Sequence, residues 1–258
     1  MGESETKLWR FFSLKRYEEL WDNPPREPSL AQAARVPLCE CGEPLVDLRR
    51  LGGRFCLRAP LPWLRETAAR MLVRAARLLP PGYALSVNTC FRTIEAQRAG
   101  YERYRAHLRK LYPHWPESVV AREAARWFHP PHSPVPPGHC TGGAVDVCIV
   151  SPRGRMVYMG GTWRDGPALW RTFSREISEQ ARRNRAALFE LMSAVGFSNC
   201  YDEWWHWSYG DALWACRTGA RCAIYGLAHD LPEELAREAA RRRARRPRLL
   251  RWRGRRRS

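Results

Sequence analysis

The chain lacks long apolar runs, and this shortage excludes one large class of protein. Nowhere in its 258 residues does an uninterrupted apolar segment approach about 18 residues, the length that a membrane-spanning helix needs. Hydrophobic residues make up 45% and charged residues 27% of the sequence, which is ordinary for a globular protein and excludes disorder throughout. We therefore expect a soluble protein with a sizeable hydrophobic core.

The cysteines lack the spacing of a metal-binding finger or of a disulfide framework. There are nine of them, an odd number, and no two are spaced as CxxC. The N-terminal segment contains acidic residues and no apolar run ahead of a cleavage site, so it does not look like a secretory signal. Free thiols without a signal peptide predict a cytoplasmic protein.

Lysine is scarce, and positive charge is concentrated at the end of the chain. Only three of the 44 basic residues are lysine, and eleven arginines lie in residues 241–258, which contain no acidic residue. This Arg-rich tail supplies most of the net charge of +18, so the high isoelectric point says little about the rest of the chain. The tail is suited to weak contact with an anionic polymer, such as nucleic acid, or with an anionic membrane surface. No feature of the sequence indicates an obligate protein partner.

Internal repeats are also absent, which favours one principal domain. A proline-rich stretch, WDNPPREP, ends near residue 28, and LAHDLPEEL predicts a last helix with Asp230 as its N-cap. We therefore predict an N-terminal extension at 1–28, a main domain at 29–230, and a C-terminal helix with the Arg-rich tail at 231–258.

Helices and strands alternate irregularly along the main domain. Apolar residues at a period of 3.6 predict four substantial helices, and short runs rich in β-branched and aromatic residues predict strands. The pattern favours an α+β fold, a compact single domain with a central, mostly antiparallel sheet flanked by helices. The predicted helices are 62–78, 93–112, 117–128 and 174–195, and the predicted strands are 83–89, 144–150, 155–159, 203–209 and 222–226.

One predicted strand, AVDVCIV at 144–150, carries a carboxylate among apolar neighbours. Strand alternation places Val145 and Val147 on one face and Asp146 on the other. An unpaired charge on a buried strand is costly, so Asp146 needs a metal ion or a cation such as arginine beside it. From the strand alone, both explanations stand.

The flanking sequence favours the metal. His139 lies seven residues before Asp146, and the two glycines between them permit a tight backbone path that brings both side chains together. A catalytic zinc site takes three protein ligands and leaves a fourth position for water. His206 is the candidate third ligand, because a purely structural histidine is an odd choice among the tryptophans of EWWHWSYGD.

Glu203 and Arg92 are candidate catalytic residues. Positions three apart point to opposite faces of a strand, so Glu203 and His206 address one metal only if Glu203 lies on the preceding turn or at a bulge. Indole rings around Glu203 should raise its pKa, as suits a general base near neutral pH. Arg92, at a junction between strand and helix, is suited to stabilising an oxyanion or holding a carboxylate.

Several elements together resemble the D-alanyl-D-alanine dipeptidases, the zinc D,D-dipeptidases of the vancomycin-resistance type. The resemblance extends over about residues 36–227, and its most specific parts are HxxGxAxD and EWWHWSYGD. The elements are EPLVDL at 43–48, FRTIEAQ at 91–97, PPGHCTGGAVDV at 136–147, GTWRD at 161–165, SNCYDEWWHWSYGD at 198–211 and AIYG at 223–226.

This resemblance implies the fold, the metal and the reaction. The implied fold is a compact α+β domain with the zinc site on a central antiparallel sheet, and the implied reaction is hydrolysis of D-alanyl-D-alanine or a close relative by metal-activated water. One zinc ion per chain is implied. The implied roles are zinc ligand for His139, Asp146 and His206, general base for Glu203, transition-state stabiliser for Arg92 and binder of the dipeptide ammonium for Asp165.

Departures from the family pattern leave two alternatives open. The first is a zinc peptidase that acts on longer peptidoglycan peptides. The second is a nucleic-acid-binding protein that uses the Arg-rich tail, with a non-catalytic zinc, although a structural zinc normally has four protein ligands and only three are found here. The departures are Asn88, Phe91, Thr93, Pro137 and Arg164.

Overall fold

The computed structural model describes residues 7–125, 128–162 and 165–244. Within these ranges the chain is a mixture of helices and short strands. The strands are β1 (Leu45–Asp47), β2 (Phe55–Leu57), β3 (Trp63–Arg65), β4 (Ala84–Thr89), β5 (Ala144–Val150), β6 (Ser198–Asn199) and β7 (His206–Ser208). The helices are α1 (Lys15–Trp21), α2 (Leu30–Ala33), α3 (Glu66–Leu78), α4 (Ile94–Leu111), α5 (Glu117–Ala125), α6 (Gly138–Thr141), α7 (Pro167–Trp170), α8 (Glu179–Ala194), α9 (Ala212–Thr218) and α10 (Glu233–Ala244).

A five-stranded sheet organises the chain, with strand order β2-β4-β5-β7-β6. Every neighbouring pair is antiparallel except β2 and β4, which are parallel. The predicted α+β fold with a mostly antiparallel sheet is therefore confirmed. β5 is the central strand, which explains why its sequence is almost entirely apolar and why a carboxylate on it is conspicuous.

Apolar helix faces cover this sheet. α3 and α8 contribute alanine, leucine and methionine side chains to the same buried cluster as the inward-facing residues of β4 and β5. Burial of this surface, at about 25 cal/mol per Å², is the main term that stabilises the fold. Among the residues that the structure describes, no helix combines the length and the apolar character needed to cross a bilayer.

The four predicted helices are present. Three of them have different ends, whereas the helix predicted at 117–128 begins at Glu117 as predicted, and residues 126 and 127 near its predicted end lie outside the described residues. α3 begins later than predicted because Trp63–Arg65 forms β3, which pairs with β1. α4 and α8 begin after Thr93 and Ser178, whose hydroxyls each accept a hydrogen bond from a backbone N–H of the first turn. The last helix begins at Glu233, so the prediction that Asp230 caps it is wrong.

Two of the predicted strands are absent and a third is shorter than predicted. Residues 155–159 form no strand and make only a bridge from Met156 to Val150, and residues 222–226 make only a bridge from Ala223 to Leu38. The predicted strand 203–209 is reduced to β7 because its first residues form a turn. Residues of high strand propensity are also found outside strands, so propensity alone overstates strand pairing here.

Residues near the N-terminus pack onto the main core. Tyr17 is fully buried, its hydroxyl donates to the Thr172 carbonyl at 2.8 Å, and its backbone N–H donates to Glu190 on α8 at 3.0 Å. At the other end, Leu235 of α10 is buried in a smaller cluster with Phe91. The domain limits at residues 28 and 230 stay predictions.

A buried arginine on α8 holds the loop after β5. Arg185 is 1% exposed, and its guanidinium donates to the carbonyls of Met159 at 2.6 Å, Arg171 at 2.6 Å and Leu169 at 2.7 Å. Burial lowers its pKa to about 10. Arg185 therefore ties the backbone at Met159 to the backbone at Leu169 and Arg171.

We expect Arg185→Met to lower the free energy of unfolding by about 3 kcal/mol, because three buried carbonyls lose their partner and methionine offers none. Urea denaturation measures the loss. The matched control is Arg183→Met on the same helix, whose exposed pair with Glu179 should be worth less than about 1 kcal/mol. Equal losses in the two variants would contradict a structural role for Arg185.

Candidate metal centre and active site

Two of the three predicted metal ligands face each other across neighbouring strands. Asp146 of β5 pairs directly with His206 of β7, and Asp146 Oδ1 lies 3.0 Å from His206 Nδ1. Opposite residues of an antiparallel pair place their side chains on the same face of the sheet. The core side of β5 is taken by Val145 and Val147, as the alternation predicts.

The third predicted ligand comes from the helical turn just before β5. His139 lies in α6, and its Nε2 is 3.2 Å from Asp146 Oδ1. Gly142 ends the turn with φ +77°, a conformation that favours glycine. A Cβ at position 143 would run into the carbonyl oxygen of Tyr209. The two glycines therefore let the chain reverse tightly enough to bring His139 back to Asp146.

These three side chains together offer a donor set that could hold a metal ion. One ligand atom from each lies within 4.8 Å of the others. The Cys90 carbonyl lies 3.0 Å from His139 Nδ1 and accepts its hydrogen bond, which leaves Nε2 to bind a metal. Two imidazoles and one carboxylate suit a divalent metal ion, and the set leaves room for a fourth ligand.

The charges of two of the three groups, Asp146 and His139, match this use. Burial alone would raise the pKa of Asp146, but the two imidazoles hold it well below its usual range. Burial lowers the pKa of His139, whereas the hydrogen bond to Asp146 raises the pKa of His206 against the effect of burial. At neutral pH Asp146 is ionised and His139 is neutral, the forms in which these groups bind metals.

Glu203 lies on the turn before β7, as its spacing from His206 requires. Its backbone N–H donates to the Cys200 carbonyl at 3.0 Å, and its carbonyl accepts from the N–H of His206 at 3.0 Å. The side chain lines the same cavity as the three ligands. Burial raises the pKa of Glu203 to about 7, which confirms the predicted direction.

Arg92 reaches this cavity from the loop between β4 and α4. Its Nη1 donates to Gln97 Oε1 at 2.8 Å, and its backbone N–H donates to the His139 carbonyl at 3.0 Å. Gln97 is buried and donates in turn to the His129 carbonyl at 2.8 Å. The positive charge of Arg92 is close enough to lower the pKa of Glu203 against the larger effect of burial.

Asp165 stands apart from the other five predicted site residues. Its side chain is exposed, and Oδ2 accepts hydrogen bonds from the backbone N–H and the hydroxyl of Thr162 at 2.7 and 2.9 Å. Thr162 lines the cavity, whereas Asp165 does not. The neighbouring departure from the family pattern, Arg164, lies outside the described residues.

The cavity has a volume of about 740 Å³ and is lined by both polar and aromatic side chains. The ring of Trp205 packs against Trp170 with centroids 5.8 Å apart and against Trp204 at 5.4 Å. Cys148 also lines it, and burial raises the pKa of this thiol to about 12, so it stays protonated. The indole rings of Trp170, Trp204 and Trp205 thus form an apolar part of the wall of the cavity that Glu203 also lines.

Among the residues of the cavity wall that sequence reasoning did not single out are Gln97, Asp211 and Arg217. Gln97 lies in the FRTIEAQ element but has no chemistry of its own that marks it. Asp211 could have been recognised as an N-cap, because aspartate is a favoured residue just before a helix. Its Oδ1 accepts from the Trp214 N–H at 2.6 Å and caps α9. Arg217 carries none, since one arginine in so Arg-rich a chain is indistinguishable by sequence.

The chain is similar to several known proteins. The peptidase M15 family model, described as D-ala-D-ala dipeptidase, matches residues 63–222. A D-alanyl-D-alanine dipeptidase of Synechocystis sp. is 28% identical in an alignment that covers 76% of this chain and 92% of the relative. A solved structure described as VanYB in complex with D-Alanine-D-Alanine has a TM-score of 0.40 and 17% identity, with 72% of this chain and 88% of that chain covered.

The range matched by the family model includes the predicted site residues that lie in the cavity. More than half of the chain lies within the matched range, and that range contains the His-Asp-His group, Glu203 and Arg92. The resemblance noted in the sequence is thereby confirmed. The chain belongs to the D-alanyl-D-alanine dipeptidase family of metal-dependent peptidases.

Proposed function

We propose that the chain is a zinc-dependent dipeptidase that hydrolyses D-alanyl-D-alanine or closely related D,D-dipeptides. The observation that carries this proposal is the convergence of His139, Asp146 and His206 beside Glu203 in one cavity. Membership of the family supports it, as does the Synechocystis relative, which is named for this activity.

Zinc is the proposed metal, at one ion per chain. Two imidazoles with one carboxylate form a common donor set of catalytic zinc sites, which keep one position for water or substrate. Bound zinc supplies Lewis acidity, which lowers the pKa of water to about 7 and polarises a carbonyl. His139, Asp146 and His206 would hold the ion.

Glu203 is the proposed general base and Arg92 the proposed oxyanion partner. With a pKa of about 7, the Glu203 carboxylate can accept a proton from the attacking water and pass it to the leaving amine near neutral pH. The Arg92 guanidinium would donate to the negative oxygen that develops on the attacked carbonyl. Because Gln97 already orients Arg92, little reorganisation is needed in the transition state.

Asp165 is the proposed partner of the substrate ammonium. Its carboxylate already holds Thr162, a residue of the cavity wall, so an ammonium bound there would lie next to the cavity. A charge-assisted hydrogen bond of this kind would favour a free dipeptide over an N-acylated one.

The size of the cavity supports a second substrate class, longer peptidoglycan peptides. A volume of about 740 Å³ lies within the range of sites that bind ligands much larger than a dipeptide. Two of the departures from the family pattern, Asn88 and Pro137, line this cavity, where they would meet such a substrate.

The test is release of free D-alanine by the zinc-loaded protein. We expect free D-alanine from D-alanyl-D-alanine, and no free alanine of either configuration from L-alanyl-L-alanine. N-acetyl-D-alanyl-D-alanine and a muramyl pentapeptide ending in D-alanyl-D-alanine separate the two substrate classes. Cleavage of only the N-blocked substrates would favour the longer peptides, and cleavage of none of them with zinc bound would refute the proposed activity.

A cytoplasmic location is also part of the proposal, supported by nine free cysteines, the state that a reducing compartment maintains. Weak contact of the Arg-rich tail with anionic polymers or membrane surfaces stays a prediction from sequence, since residues 245–258 lie outside the described residues.

A further inference from the structure

The carboxylate of Glu27 accepts hydrogen bonds from two residues at the candidate active site. One is Tyr201, on the turn that carries Glu203, and the other is Arg217, which lines the cavity. Glu27 lies between α1 and α2, outside the range that the family model matches. Its side chain is only 13% exposed. Each carboxylate oxygen has its own partner: Oε1 accepts from Arg217 Nη1 at 2.8 Å, and Oε2 accepts from the Tyr201 backbone N–H at 2.9 Å.

Tyr201 is the second residue of the turn that carries Glu203. The turn is closed by the hydrogen bond from the Glu203 N–H to the Cys200 carbonyl. In a four-residue turn the N–H of the second residue has no partner within the turn. Glu27 supplies that partner, while the Tyr201 carbonyl accepts from the Thr172 N–H at 2.9 Å. The turn is therefore held through both polar groups of one peptide residue.

Arg217 extends this contact to the two strands that the turn connects. Its Nε donates to Ser198 Oγ on β6 at 3.1 Å, and its Nη2 donates to Ser208 Oγ on β7 at 2.7 Å. The side chain is 1% exposed, and a buried guanidinium needs an opposite charge. Glu27 is the carboxylate that pairs with it, so the same side chain braces the turn and both of its ends.

We infer that Glu27 is a positioning residue for Glu203: through the Tyr201 N–H and Arg217, it keeps the turn in the conformation that places the Glu203 carboxylate beside the metal ligands. This inference rests on the proposed role of Glu203 as general base. A misplacement of about 1 Å in a reacting group can cost up to about a hundredfold in rate.

The experiment compares Glu27→Ala with Glu190→Ala. Glu190 also ties the N-terminal residues to the main core through a backbone N–H, that of Tyr17, but far from the turn. We expect Glu27→Ala to lower kcat at least about tenfold with KM and zinc content nearly unchanged. Glu190→Ala should keep kcat within about twofold. Both variants are assayed well below their unfolding temperatures, on D-alanyl-D-alanine.

A second readout does not depend on activity. Hydrogen exchange of a peptide spanning residues 199–206 should accelerate in Glu27→Ala and stay unchanged in Glu190→Ala. Should Glu27→Ala fail to fold, Glu27→Gln replaces it, because an amide sets its NH₂ group against the Tyr201 N–H or Arg217. An unchanged kcat in a folded, zinc-loaded Glu27 variant, or equal losses in the Glu27 and Glu190 variants, would overturn the inference. If the wild-type protein releases no D-alanine, the proposed function fails, and unchanged exchange would still refute the positioning role.

Discussion

Replacing Glu203 with glutamine is expected to lower kcat about a thousandfold while the protein keeps its metal. Glutamine has the shape of glutamate but cannot accept the proton of the attacking water, and a positioned general base is worth about 10² to 10⁴ in rate. Glu203 is not one of the three residues that form the donor set, so zinc content should not change. D-alanine release and metal analysis of the same preparation measure the two effects.

The matched control for this substitution is its neighbour. Asp202 lies on the same turn, but its side chain is 63% exposed and makes only a 3.7 Å contact with Arg171. We expect Asp202→Asn to keep kcat within about twofold. If Glu203→Gln retained near-normal turnover with zinc bound, or if Asp202→Asn lost as much, the base would have to be sought elsewhere in the cavity.

The pH dependence of kcat/KM provides an independent check on Glu203. The base must be ionised, so activity falls as the pH drops below its pKa, tenfold for each further unit. Burial raises that pKa to about 7 in the metal-free chain, and a divalent cation beside the carboxylate lowers it again. We therefore expect the acid limb of the wild-type profile at or below pH 7, and no such limb in the residual activity of Glu203→Gln.

The convergence of His139, Asp146 and His206 was predictable because the placement of each depends on local rules. The alternation of side chains along the strand placed Asp146 on the face opposite to the core residues Val145 and Val147. Two glycines permitted the tight path back to His139, and a run of aromatic residues marked His206. The pairing of Asp146 with His206 follows from strand register, which sequence spacing alone does not specify. Glu203 can face the same metal as His206 only if it lies on a turn or a bulge, and in the structure it lies on the turn before β7.

Contacts between distant parts of the chain were not predictable in this way. Glu27 and Arg217 are 190 positions apart, and nothing in either local sequence marks one as the partner of the other. The same holds for Arg185, whose three carbonyl partners lie between 14 and 26 positions away along the chain. Residues 155–159 and 222–226 read as strands because aromatic and β-branched side chains serve packing as well as pairing. Propensity alone does not separate these uses.

Replacing Asp146 with asparagine is expected to weaken zinc binding at least about a hundredfold and to abolish most of the activity. Asparagine has no charge, and Asp146 lies within 3.0 Å of His206 and 3.2 Å of His139, so the neutral amide leaves the cation without its anionic ligand. The loss is measurable without any substrate. Zinc at a hundred times the wild-type Kd should stabilise the wild-type protein by about 2.7 kcal/mol but the variant by only about 0.4 kcal/mol.

For a chain of this size the wild-type gain corresponds to a rise in Tm of about 5–10 °C, which thermal unfolding with and without zinc resolves easily. The control is Asp47→Asn, because Asp47 is a buried aspartate that pairs with Arg49 and is not one of the three residues of the donor set. That variant should lose stability in the absence of zinc and keep the full zinc-dependent rise. An undiminished rise in Asp146→Asn would mean that zinc binds without this carboxylate, and the donor set would have to be redrawn around the two histidines.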